Sequence, residues 1–143
     1  MKKSHQTLNK EIVLNLLKEV DRGNLDIIDE VYDDAYVDHT PSPIRNIVSG
    51  KAGMKRAAEI FYKAFPETEH RIINAVAEDD LVAVNMVAKA VHKGELFDIE
   101  PTQKEVSLAG IGIYRLKGGR IVERWAYNTG DVLNQLEISI PIS

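Results

Sequence analysis

Residues 106–128 read VSLAGIGIYRLKGGRIVERWAYN. Two runs rich in β-branched and aromatic residues flank Lys117, Gly118 and Gly119, and paired glycines are what a tight hairpin turn demands. The pattern predicts a strand from Glu105 to Leu116 and a returning strand from Arg120 to about Asn128. A strand over 105–116 rising about 3.3 Å per residue spans roughly 40 Å, and strands that long twist and coil unless they bulge. Gly110 and Gly112 mark either a bend or a point where another group approaches the backbone closely. The hairpin ends in Trp125 and a polar run, Asn128 to Asp131, which places polar groups at the mouth of a sheet that curves.

Upstream, two more strand patterns cover His70 to Ala77 and Leu81 to His92, with Glu78, Asp79 and Asp80 between them. The connection KGELFDIEPTQK, residues 93–104, leaves room for a short strand at Glu95 to Phe97. Before the strands come helices. Leu8, Ile12, Val13, Leu16, Leu17 and Val20 recur at helical spacing, and Gly23 ends that helix. Asn24 can cap a second helix carrying Leu25, Ile28 and Val31 inward. Tyr36 and Val37 lead out towards Asp38 and His39, and Pro41 and Pro43 stop any helix there. Asn46 to Gly53 reads as a loop, and Met54, Ala57, Ala58, Phe61 and Phe65 mark a third helix that Pro66 ends. Helices followed by strands predict an α+β fold, a curved antiparallel sheet wrapped as a cone around three N-terminal helices.

The bulk numbers narrow the function classes. With 143 residues the chain fits one domain, residues 1–143, and 44% hydrophobic with 28% charged residues supports a packed core. The net charge of −4 comes from 18 basic and 22 acidic residues with no cationic cluster, so nucleic acid is not an expected partner. Zero cysteines remove disulfides, thiolate zinc sites and cysteine nucleophiles. The N-terminus MKKSHQTLNKE has no apolar segment after its lysines, and no apolar run approaches the ~18 residues of a membrane span. A cytoplasmic location and no membrane partner are the expectations. There is no GxSxG, Walker or GxGxxG sequence, and the histidine spacings match no metal-ligand pattern.

The histidines are the first candidates for chemistry. Alternation puts Val82, Val84, Met86, Ala88, Ala90 and His92 on one face of their strand, so His92 ends an apolar, inward face. There it either moves protons or hydrogen-bonds a loop carbonyl. His39 follows Asp38, but neighbours on an extended segment point to opposite faces, so their direct pairing is not expected. Both readings of this pair stay open, catalytic or satisfying backbone groups around Pro41. His5 precedes the first helix, and His70 sits beside Glu67 and Glu69, where a solvated edge accounts for it. Trp125 shares a face with Glu123, Tyr127 and Thr129, opposite Val122, Arg124, Ala126 and Asn128; it serves as pocket floor, core or dimer interface. Asp131 either caps a last helical turn over Val132 to Leu136 or faces the cavity as an acid.

In order and spacing, YVDH, GKAGM, FPE, EDDLVAV, HKGEL, PTQK, GIGIYR, GGRIVERW and NQL resemble the SnoaL-like polyketide cyclase family, over about Leu8 to Leu136. That family belongs to the nuclear transport factor 2-like superfamily, whose cone also serves ketosteroid isomerase, limonene epoxide hydrolase, scytalone dehydratase and non-catalytic association domains. The resemblance implies an aldol-type ring closure or isomerisation of a carbonyl-containing apolar substrate by acid and base residues, without metal or organic cofactor. It implies an acid on the last strand about four residues after the tryptophan; Thr129 stands there, with Asn128 before it. Gly112 replaces an aspartate of the third-strand motif, and Gln103 the glycine of PTGK. His39 and His92 match family positions, so His39, His92, Asn128 and Asp131 become the expected catalytic set. Tyr36, Phe61, Phe65, Met86, Tyr114, Trp125 and Tyr127 are the expected substrate-binding residues. The alternative is a non-catalytic small-molecule-binding or dimeric association module of the same fold. Either reading expects a homodimer through the outer sheet face, where Ile111, Ile113 and Val122 need cover.

Overall fold

Ser4 starts the first helix: its side chain accepts from the Thr7 N–H, capping α1 (His5–Asp21). Gly23, at φ +90°, ends it. The Asn24 N–H donates to Glu19 O and the Gly23 N–H to Val20 O, the paired bonds of a left-handed helix stop. This stop fixes Asp21 as the last helical residue. The computed structural model describes residues 2–40, 49–129 and 132–136, the side chains of Thr129, Leu133 and Asn134 excepted.

Then follow α2 (Ile27–Val31), β1 (Tyr32–Asp38), α3 (Gly50–Ala64), β2 (Glu69–Glu78), β3 (Leu81–Val91), β4 (Glu105–Lys117), β5 (Arg120–Thr129) and α4 (Val132–Gln135). The strands form one sheet in the order β1-β5-β4-β3-β2. Helices pack on the inner face of this curved, unclosed sheet, so the architecture is α+β as expected. Two details correct the expectation. The sheet is mixed, because β1 pairs with β5 in parallel, Asp38 opposite Arg124. And α3 begins at Gly50, inside what reads as a loop, with Gly53 buried in the helix.

The hairpin of residues 106–128 forms as predicted, Gly118 and Gly119 both holding positive φ. Gly110 and Gly112 do not interrupt pairing on either side. They are sites of close approach: a Cβ on Gly110 would lie 2.6 Å from Asn128 Oδ1 and 2.7 Å from Tyr127 O. The irregularities fall elsewhere, between Arg115 and Leu116 and between Ile72 and Asn74.

Two buried clusters hold the layers together. The larger joins Val13, Leu16 and Ile28 of the helices to Val82, Val84 and Ile121 of the sheet. The smaller gathers Phe65, Leu96, Val106 and Leu136 under the 92–104 connection. In that connection the short strand reduces to an isolated bridge, Leu96 to Ile99, turned by Phe97 and Asp98 at positive φ. Gln103, where the family pattern has glycine, holds φ +61°. Beyond the end of β5, Gln135 takes over as a partner for β4: its Oε1 accepts the Ser107 N–H at 2.7 Å and its Nε2 donates to Ser107 O at 2.9 Å. Backbone groups that β5 no longer reaches are thus satisfied by one side-chain amide.

Candidate functional site

Between the helices and the inner sheet face lies a cavity of about 920 Å³. Leu16, Leu17, Met54, Ala58, Phe61 and Met86 give it apolar walls. Two polar stations interrupt them.

The first is built by β1 and β5. Their parallel register sets Asp38 beside Arg124, whose Nη1 donates to Asp38 Oδ2 at 2.7 Å. The Tyr36 hydroxyl donates to the same oxygen at 2.9 Å, and the Thr40 N–H to Oδ1 at 2.9 Å. Thr40 Oγ1 in turn accepts the Ala126 N–H at 2.6 Å. A carboxylate that accepts from these donors fixes their orientation. Tyr32 packs edge-on against Tyr36, and burial pushes both hydroxyls above the usual tyrosine range. Burial opposes the Arg124 charge, but Tyr114, Tyr32, Tyr36 and Asp38 outweigh it, so the guanidinium stays protonated. The Tyr32 and Tyr114 hydroxyls have no hydrogen-bond partner among the described residues, and no side chain there other than Asp38 accepts from Arg124. These donors face the cavity.

Tyr114 reaches over the sheet floor because Gly112 has no side chain. A Cβ on Gly112 would stand 3.0 Å from the Tyr114 ring, 3.2 Å from its hydroxyl and 3.3 Å from the Met86 methyl.

The second station joins α1, α3 and β2. Asp21 Oδ1 accepts the Tyr62 hydroxyl at 2.7 Å and lies 2.7 Å from His70 Nδ1, while Oδ2 accepts the His70 backbone N–H at 2.7 Å. Burial works against the Asp21 charge, yet the His70 ring, the His70 backbone and the Tyr62 hydroxyl outweigh it and hold the carboxyl below its usual range. His70 and Tyr62 both line the cavity.

Of the residues expected to be catalytic that the structure describes, only Asn128 lines the cavity. His92 does not: its ring is 0% exposed, tilted against Phe65 within the smaller core cluster. Its Nδ1 accepts the Thr102 N–H at 3.1 Å, and its Nε2 is buried without a partner among the described residues. His92 thus organises the 92–104 connection. His39 points outward, as its alternation with Asp38 requires, and stacks on Trp125 at 4.7 Å and 13°. Its Nε2 meets Glu123 at 2.8 Å, and this contact, with Arg115, holds the Glu123 carboxyl below its usual range. Asp131 lies outside the described residues.

Among the expected substrate-binding residues, Tyr36, Phe61, Met86 and Tyr114 line the cavity. Phe65 is buried in the smaller cluster, and Trp125 and Tyr127 lie on the opposite sheet face with His39. Sequence reasoning missed Asp21, Tyr62, His70 and Arg124. The signal for His70 was present in the alternation of β2, which puts it on the inner face with Ile72, opposite Ala88. Among the described residues no three or more His, Asp or Glu side chains are arranged to hold a metal ion, and no helix is long and apolar enough to cross a membrane.

Comparison with known structures fits this architecture. AclR, a candidate hydroxylase from Streptomyces galilaeus, is 25% identical over 92% of this chain and 97% of its own, with a TM-score of 0.80. A candidate polyketide cyclase from Acidithiobacillus ferrooxidans is 25% identical over 94% of this chain and 96% of its own, TM-score 0.76. A candidate SnoaL-like polyketide cyclase from Jannaschia sp. CCS1, 22% identical, covers 99% of both chains at 0.78 and shares the fold. No protein with a curated description matches significantly. The family model for SnoaL-like polyketide cyclases matches residues 11–136, and the chain belongs to that family.

Proposed function

We propose that the protein is a cofactor-independent acid/base enzyme of cyclase or isomerase type, acting on a carbonyl-containing apolar substrate held in the cavity. The observation that carries this reading is a set of donors lining a largely apolar cavity: the Tyr32 and Tyr114 hydroxyls, without a hydrogen-bond partner among the described residues, and the Arg124 guanidinium, held by Asp38. When a proton leaves the carbon beside a carbonyl, negative charge gathers on the oxygen, and fixed donors in a water-poor site stabilise it strongly. Asp38 keeps Tyr36 and Arg124 in place for that task. The chemistry calls only for proton transfer and charge stabilisation, which side chains supply.

2-Naphthol, an apolar phenol resembling an enol, is a suitable probe. Fluorescence titration is expected to show saturable binding that the Tyr32→Phe, Tyr114→Phe double variant weakens. Absence of binding to the wild type would sink the proposal. The Thr129 position favours one other reading, a binding module without catalysis, which predicts naphthol binding with no proton exchange on any carbonyl probe.

We extend the proposal to a homodimer through the outer sheet face. Ile111 is 48% and Tyr127 65% exposed and they are paired across β4 and β5, with Val76, at 65%, further along the same sheet. An apolar stripe of that kind is expected to be covered by a second copy. Sedimentation should report a dimer that Ile111→Asp with Tyr127→Asp splits; a monomeric wild type at micromolar concentration would contradict it.

A further inference from the structure

We propose that His70 is the general base of this cavity, held by Asp21 so that Nε2 receives the proton from an acidic C–H beside the substrate carbonyl. The inference rests on the reading that the cavity takes an enolisable substrate, and it supplies the base that the first station lacks.

Three observations carry it. Asp21 sits 2.7 Å from Nδ1 and also accepts the His70 backbone N–H, so ring and backbone are both fixed to one carboxylate. An Nδ1–H donated to that carboxylate leaves the Nε2 lone pair free, and Nε2 has no hydrogen-bond partner among the described residues. Finally, the ring belongs to the cavity lining, whereas His39 and His92 do not. Tyr62 completes the holder by donating its hydroxyl to the Asp21 oxygen that faces Nδ1. Burial, followed by that bond to Asp21, keeps the Tyr62 hydroxyl well above the usual tyrosine range, so it remains a donor.

The step balances within the protein and substrate. The C–H bond breaks, its proton goes to Nε2, and its electron pair forms the C=C bond of an enolate whose oxygen accepts from Tyr114 or Arg124. In a ring closure the enolate carbon then attacks a second carbonyl of the same molecule, forming C–C, and the new alkoxide takes the proton back from Nε2. In an isomerisation the proton returns to a different carbon. Asp21 stays ionised throughout and acts as a positioning residue.

The test uses 2-tetralone, an apolar ketone with acidic C–H bonds, in D2O, following deuterium incorporation by NMR. Wild-type protein is expected to accelerate exchange saturably. His70→Gln should lose roughly 100- to 10,000-fold of that acceleration while binding 2-naphthol as the wild type does, which also shows that it is folded. Asp21→Asn should lower kcat with KM close to wild type, whereas a purely structural role would move naphthol binding as well. His39→Gln, on the outer face, should exchange normally. A second measurement needs no variant: 15N-detected imidazole spectra should show His70 with the proton on Nδ1, and its Nε2 resonance should shift on adding 2-naphthol. Exchange that survives in His70→Gln, or a His70 ring proton on Nε2 in the free protein, overturns this inference and leaves the proposed function standing. A wild type that binds naphthol but exchanges nothing overturns the enzyme reading and this inference with it.

Discussion

Gly94→Ala is expected to destabilise the fold by about 3 kcal/mol or more, lowering the thermal midpoint by roughly 10 °C. A Cβ at this position would stand 1.8 Å from Lys63 O and 2.9 Å from Lys63 C, atoms of the α3 backbone that have no rotamer to change. The closeness has a cause: the Lys93 and Gly94 N–H groups both donate to Ala64 O at 3.0 Å, satisfying a carbonyl at the helix end. Separating the loop from α3 to make room breaks both bonds and lifts His92 and Leu96 off Phe65 in the smaller core cluster. Differential scanning calorimetry checks this. An unchanged midpoint would contradict the account of the 92–104 connection, including the structural role given to His92.

Arg124→Met should weaken 2-naphthol binding about 10- to 100-fold, the range for losing a hydrogen bond to a charged donor. The methionine keeps most of the apolar stem and removes the donors. Its effect on stability should be smaller than its effect on binding, because Asp38 keeps 24% side-chain exposure and so some contact with water once the pair is broken. Asp38 also retains Tyr36 and the Thr40 N–H. Calorimetric titration of variant and wild type measures the difference. Equal affinities would remove Arg124 from the site and leave the naphthol hydroxyl to the tyrosines.

The sheet was legible where its signals are local. Strand alternation and the Lys117 to Gly119 turn are encoded within a few residues, and β2 to β5 appear within a residue or two of their expected ends. β1 was not legible. Its sequence YDDAYVD carries three aspartates, poor strand formers, and it becomes a strand only because β5 offers an edge far along the chain. Gly112 illustrates a similar limit. As sequence it is a departure from a motif; in the fold it is the space that Tyr114 fills.

The candidate site divides along the same line. Tyr36, Met86 and Tyr114 follow from strand faces. Arg124 shares the inner face with Asn128, as alternation predicts, but a charged side chain there makes sense only once Asp38 is placed beside it. Asp21 and His70 are 49 positions apart and meet only when the end of α1 docks on the start of β2. His39 and His92 match the family's spacing, yet spacing does not report which side chains reach the cavity, and neither of the two lines it.

The central claim is that chemistry belongs to the cavity between helices and sheet. A crystal structure of the protein with 2-naphthol tests it most directly. The account predicts the naphthalene ring among Leu16, Met54, Phe61 and Met86, with its hydroxyl within hydrogen-bonding distance of Tyr32, Tyr114 or Arg124. Naphthol seated instead on the outer face against His39 and Trp125, with the cavity closed around its own side chains, would contradict it.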